Sequence, residues 1–497
     1  MRTVAGPTDR VVIVGAGLGG LSAALRLAGA GREVTVLERE PVPGGRAGRL
    51  ELDGYTFDTG PTVLTMPHLI GDALASVGED LAGWLDLRPV RPLYRAHYPD
   101  GSTLDVHADP DEMAAEVARV CGPAEAAGYR RFADYVTTLY RLEMRQFIDR
   151  NLDSPADLLG VNLLRLAGHG GFGRLANRVG RYLRDPRTRR VFSFQAMYAG
   201  LSPYQALAIY AVIAYMDSVA GVFFPRGGLH AVPLALAGAA EKHGVRFRYR
   251  TEVTAVEVAG GRARAVHTAD GERIPADVVV LNPDLPVAYR DLLPPALAPR
   301  RLDRLRYSPS CVLLHVGSRA GYTGITHHNI HFGRAWAGVF RDVIDRGRLM
   351  ADPSLLVTNA SRADPGLAPP GRHTYYVLLP APNLSAGLDW AAIGPRYRDE
   401  ILVTLDRRGY RGFAAGTEVE RMITPADWGA SGLALGTPFA AAHTLRQTGP
   451  FRPANLAPGL ENVVFCGSGT QPGVGVPMVL VSGRLAAERI TGPVTLR

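Results

Sequence analysis

Three features of the sequence predict an α/β fold. Residues 11 to 38 read as strand, tight turn, helix and strand, and β-type runs return between 245 and 281. The last segment, 462 to 489, is again strand, glycine loop and helix. Length supports more than one domain, since 497 residues with 46% apolar content can bury a large core.

The first unit is the most informative. Val11-Val12-Ile13-Val14 is an apolar run, Leu21 to Gly29 a helix of small residues, and Val34-Thr35-Val36-Leu37 a second strand. Between the first strand and the helix, Gly15-Ala16-Gly17-Leu18-Gly19-Gly20 has the spacing G-x-G-x-x-G. In that spacing Gly15 makes the tight turn, Gly17 lets a pyrophosphate approach the backbone, and Gly20 lets helix and strand pack closely. The diphosphate would rest on the helix N-terminus, where free N–H groups and the macrodipole favour negative charge. Glu38 ends the second strand, placed to accept from ribose hydroxyls. An acid there disfavours a 2′-phosphate, which leaves NAD and FAD open.

Beyond residue 96 the pattern turns helical as far as 221, with arginine-studded segments such as Tyr129 to Arg150 and Asn162 to Arg190. Val191 to Met216 carries no charge. Ser202 as N-cap and Pro203 at the first helical position predict a helix over 203–216. Such a helix is about 21 Å long, short of the ~30 Å hydrocarbon layer. Alternating runs then come at Val245–Tyr249, Thr251–Val258, Ala263–His267 and Val278–Leu281, and further strands at Cys311–Val316, Leu355–Thr358 and Tyr375–Leu379.

Other properties exclude function classes. The formal charge of +8 is almost all arginine, Lys242 being the only lysine, and reads as compositional bias with no nucleic-acid partner implied. Cys121, Cys311 and Cys466 lie far apart, so no disulfide framework or zinc knuckle is readable. His327, His328 and His331 lack an HExxH pattern or a carboxylate pair, and are expected in a polar loop with no metal. The apolar run from Val11 to Leu27 imitates a secretory signal, but its glycines suit a phosphate-binding turn instead.

The residues after Glu38 narrow the choice of cofactor. Pro43-Gly44-Gly45-Arg46 resembles the second fingerprint of the FAD-containing amine oxidase and phytoene desaturase superfamily. The block Tyr55-Thr56-Phe57-Asp58-Thr59-Gly60-Pro61-Thr62-Val63 is similar to the one that comes after this fingerprint in bacterial phytoene desaturases. Ser202 to Ala206, Phe224 to Gly228, Thr424 to Trp428, and Gly467-Ser468-Gly469-Thr470-Gln471-Pro472-Gly473-Val474-Gly475-Val476-Pro477 resemble further blocks of the same family. The resemblance runs from residue 11 to 489. One departure stands out: Ser468 occupies the place where many relatives carry an acid near the ribityl chain.

The resemblance implies FAD, with Gly45 and Arg46 against the flavin nucleotide, and Gly60, Pro61 and Thr62 near the isoalloxazine. It also implies adenine pairing at the backbone of Val253, and Gly467, Gly473 and Val474 at the flavin, the helix from about Pro477 facing the pyrimidine. A Rossmann-like FAD-binding domain is expected to be discontinuous, from 9–95, 222–290 and 455–497. A helical substrate or membrane region would span 96–221, and a mixed-sheet substrate region 291–454.

The implied reaction is desaturation of phytoene to lycopene or a less desaturated carotene, with oxygen or a quinone as electron acceptor. A ketolase, an isomerase, a desaturase of a shorter or modified carotene, or a non-catalytic prenyl-lipid carrier of the same fold are the alternatives. No catalytic residue is singled out. A cytoplasmic protein bound peripherally to the inner face of the cell membrane is expected, since the polyene lives in the bilayer and eight arginines between 161 and 190 flank Leu163, Leu164, Leu166, Phe172 and Leu175.

Overall fold

The computed structural model describes residues 1–493. Its centre is a five-stranded parallel sheet in the order Val463–Phe465, Val278–Leu281, Arg10–Val14, Glu33–Leu37, Arg246–Arg248. Parallel strands are buried on both faces, which is why their sequences are near-continuous apolar runs. Alternation assigns the faces: Val11 and Ile13 join the core beneath the helices, whereas Val12 and Val14 meet Val253, Val256 and Val266. Those last residues belong to a three-stranded antiparallel sheet, Val253–Ala259, Arg262–Thr268 and Arg273–Pro275. On the helical face, Leu18–Gly29 packs against Val476–Thr491 and Ala231–Lys242.

A second sheet has seven strands, ordered Thr417–Ile423, Ser310–Ser318, His373–Ala381, Leu355–Thr358, His328–His331, Tyr94–His97, Thr103–Val106. It is antiparallel except where His328–His331 runs parallel to Tyr94–His97. Val312, Leu314, Val316, Val357 and Val377 bury one face beneath the helix Trp390–Arg407. The hairpin 94–106 therefore belongs to this sheet, although its sequence lies between the first nucleotide-binding segment and the helices. The boundary expected at 95/96 falls inside its first strand.

Two expectations need correction. No continuous helix forms over 203–216: a 3₁₀ turn at Ala208–Ala211, one α turn at Val212–Ala214 and a π turn at Tyr215–Val219 take its place. The carbonyls of Pro203 and Ala206, which a helix would use, instead accept from the N–H groups of Ala176 and Leu175 at 2.9 Å each. No helix among the described residues is long and apolar enough to cross a membrane. Likewise His328–His331 is a buried strand and not a polar loop, because pairing strands flank it on both sides.

Candidate flavin site

The site forms at the C-terminal ends of the parallel strands, where ligands of open α/β sheets bind. Gly15 turns the chain out of the first strand, its N–H donating to Leu37 O at 2.8 Å. A Cβ on Gly20 would lie 2.3 Å from the Gly15 carbonyl, so only glycine allows the helix to start this close to the turn. Gly17 caps the helix in an extended conformation with no side-chain cap, which leaves the first N–H groups free for an anion.

Glu38 is 6% exposed and accepts from the N–H groups of Ala16 at 2.6 Å and Glu40 at 2.9 Å. A carboxylate has about four lone-pair positions, so two remain for hydroxyl donors. Gly44 pairs with Gly17 in an isolated bridge, its N–H donating to Ala16 O at 2.9 Å, which sets Gly45 directly on the glycine turn. Arg46 then reaches across the sheet ends. It donates to Asp284 at 3.1 Å and to the hydroxyl of Ser468, and Asp284 also accepts from Ala434 N at 3.0 Å. The small residue at 468 thus serves as a partner for the arginine of the GGR element.

Gly60 lies so close to Arg46 that a Cβ would stand 2.0 Å from the Arg46 carbonyl. Its own carbonyl accepts from the Tyr376 hydroxyl at 2.8 Å, linking the cradle to the seven-stranded sheet. Pro61 is half-buried, and buried Thr62 accepts from the Thr358 hydroxyl at 3.4 Å. Gly467 comes directly after the last parallel strand and Cys466, with its N–H on the Ser482 hydroxyl at 3.0 Å. Gly473 packs on the ring of His443, and half-buried Val474 precedes the Val476–Thr491 helix, whose Gly475 cap carries no side-chain bond.

The structure therefore brings Gly15, Gly17, Gly20, Gly45, Arg46, Gly60 and Gly467 into one cradle. Val253 pairs with Thr268 and buries its side chain in the core between the two smaller sheets, so the contact expected of it is one of backbone alone. The chain just ahead of its strand reaches the site at Thr251, whose N–H donates to Glu38 O at 2.9 Å, beside a surface cleft lined by Arg39, Glu40, Thr251 and Glu252.

The sequence reading missed three residues. Asn282 comes after Val278–Leu281 and donates to Cys466 O at 3.3 Å, filling the space between Gly17, Gly19 and Gly467. An asparagine ending a buried parallel strand was the available signal. Asp284 and Arg452 gave none, because their partners are distant in sequence. Arg452 is fully buried and donates to the carbonyls of Ser468 at 2.6 Å, Thr470 at 2.9 Å, Ala441 at 3.3 Å and Gln447 at 3.4 Å. Burial pulls its guanidinium down to about 10.

A glycine cradle, an uncapped helix start, an acid with spare acceptor sites and a bridging arginine fit a flavin dinucleotide. Residues 18–491 match the flavin containing amine oxidoreductase family. Cyclohexylamine oxidase from Brevibacterium oxydans shares the fold at 18% identity, with a TM-score of 0.60 over 98% of this chain and 99% of that one. The phytoene dehydrogenase of Streptomyces griseus is 57% identical over 99% of this chain and 97% of that protein. The zeta-carotene-forming phytoene desaturase of Myxococcus xanthus is 39% identical over 97% and 93%.

The site and fold thus define an FAD-dependent oxidoreductase. More particularly, the chain belongs to the phytoene desaturase branch of the flavin containing amine oxidoreductases.

Proposed function

We propose that this enzyme desaturates phytoene in carotenoid biosynthesis, giving lycopene or a less desaturated carotene. One observation carries the reading: the Gly60–Leu64 segment joins the flavin cradle to an aromatic, nearly uncharged wall. Leu64 O accepts from Phe223 N at 2.8 Å, Phe224 packs on His327 at 4.7 Å, and Tyr94 and Phe332 both pack edge-on to Phe194. A hydrocarbon offers no polar handle, so an apolar wall beside the cofactor is what its recognition requires. Held by the Gly15–Gly20 turn, Glu38, Gly45 and Arg46, FAD would supply the two-electron acceptor for hydride from the polyene, with a proton lost from the neighbouring carbon. The protein's residues bind and orient the polyene and exclude water. Oxygen or a quinone then takes the electrons.

The substrate lives in a bilayer, so the same reading places the protein on the inner face of the cell membrane, in the cytoplasm. Leu159, Val161, Leu164 and Phe172 support this, since they are 75%, 59%, 73% and 45% exposed among Arg165, Arg174 and Arg178. Apolar anchors ringed by arginines suit an anionic lipid surface.

The test is expression in cells that make phytoene and lack a desaturase. Red cells are expected for lycopene and yellow cells for fewer steps, because each desaturation lengthens the conjugated system. Unchanged phytoene beside folded, flavin-loaded protein overturns the reading.

A further inference from the structure

His327 leads into the strand His328–His331, and neither of its ring nitrogens has a hydrogen-bond partner among the described residues, although the residue is only 5% exposed. Buried imidazoles normally satisfy at least one nitrogen, since an unpaired buried polar atom carries its full desolvation penalty. Two edge contacts hold the ring: Phe224 at 4.7 Å and His328 at 4.3 Å, the latter at 88°. His328 is fixed in turn, its Nδ1 standing 2.9 Å from the Thr358 hydroxyl, which donates to Thr62 at 3.4 Å. The histidine pair is thus tied to the Gly60–Leu64 segment twice, through Thr62 and through the Phe223–Leu64 bond next to Phe224. Among the described residues no cluster of histidine, cysteine or carboxylate suits a metal, which leaves proton chemistry for this pair.

Desaturation needs a base. Asp217 and Glu143 are buried in the helical region, where desolvation pushes both carboxyls well above their ordinary range and so favours their protonated form over that of a free base. Burial acts oppositely on His327 and pushes it down to about 3, which keeps the ring neutral. A neutral imidazole has one lone-pair nitrogen, and here that nitrogen is unbonded in either tautomer. A weak base suffices, because a C–H bond beside an allylic cation is far more acidic than imidazolium.

We propose that His327 is the base that removes the proton in each desaturation step, with His328 as its positioning residue. This rests on the reading of the enzyme as a phytoene desaturase. Once hydride has left one carbon for FAD, the C–H bond of the adjacent carbon breaks. Its electron pair forms the new C=C bond, and the proton ends on the imidazole. The Phe224 ring stays in contact with the imidazolium, its centroid 4.7 Å away. It returns the proton to water before the next step.

The test is a single anaerobic turnover by FAD-loaded enzyme, with phytoene in phosphatidylcholine–phosphatidylglycerol vesicles, tracking flavin bleaching and visible polyene absorbance together. Wild type must bleach; if it does not, the desaturase reading falls, independently of His327. His327→Phe and His327→Gln should keep FAD affinity and thermal stability yet slow both signals by on the order of 100-fold or more, the usual worth of a general base. Both signals fall because hydride loss without deprotonation reverses. In His327→Ala, added imidazole should restore at least a tenfold rate, a rescue that a packing role would not give. Rates within threefold of wild type in the Phe and Gln variants overturn the assignment. So does loss of FAD from all three variants, or failure of imidazole to rescue the alanine variant.

Discussion

The guanidinium of Arg452 donates to the Ser468 carbonyl at 2.6 Å from a fully buried position, and the same group holds Thr470, Ala441 and Gln447. One cation thus fixes the stretch that carries Gly467 and Gly473 against the Ala441–Gln447 loop. Arg452→Met leaves four carbonyls unpaired, and buried unsatisfied groups cost about 1–3 kcal/mol each before water relieves them. The expected result is a loss of roughly 3 kcal/mol or more, with weaker FAD binding. Arg452→Lys should recover part of both. Thermal unfolding of the apoprotein and FAD titration measure them.

Two glycines of the turn should fail differently. At Gly17 a side chain would meet the end of Asn282 at 2.6 Å, a group that can swing aside, but it would fill the place a pyrophosphate needs. Gly17→Leu should therefore give folded, colourless protein. Gly20→Ala drives a methyl into the Gly15 backbone carbonyl, and should cost about 1–3 kcal/mol of stability as overpacking does. Circular dichroism melts and flavin absorbance separate the two outcomes.

Asp58 supplies a pH signature. Desolvation pushes its carboxyl from 3.8 up to about 6, against two backbone N–H bonds from Leu229 and His230 that pull it down. The folded state thus binds the proton more tightly than the unfolded chain. Its stabilising contribution is complete below pH 4 and is lost as pH rises through about 6. The loss amounts to roughly 3 kcal/mol. Asp58→Asn should remove that component, so its urea midpoint should gain on wild type between pH 4 and 6.5; parallel curves would refute the shift.

For the membrane surface, Leu164→Glu combined with Phe172→Glu should sharply reduce sedimentation with anionic vesicles while leaving the flavin spectrum intact, since both side chains are exposed. Equal sedimentation of the variant and wild type would remove these residues from the contact.

The legible parts of the sequence were those with local signals. The Val11–Val14 strand, the Gly15–Gly20 turn, Glu38 and the last glycine loop are fixed by period and spacing, and the observed strand Arg10–Val14 and helix Leu18–Gly29 match them closely. What failed was tertiary. Ser202-Pro203 carries a sound helix-start signal, yet the N–H groups of Leu175 and Ala176 capture the carbonyls a helix needed. The histidines at 327–331 look polar in sequence, and only pairing with Tyr94–His97 and Leu355–Thr358 explains their burial. Arg46 and Asp284, 238 positions apart, could not be joined by any local rule.

The strand order of the parallel sheet also sets a timetable for synthesis. Arg10–Val14 lies between Glu33–Leu37 and Val278–Leu281, and Val463–Phe465 closes the outer edge. A ribosome thus releases the phosphate turn within the first tenth of the chain, but the Asn282 wall only past the middle and the Gly467 loop near the end. Until then an apolar strand edge stays open, the kind of surface that pairs with other chains. The complete cradle is consequently a late assembly, because Gly467 comes after the last of the five parallel strands.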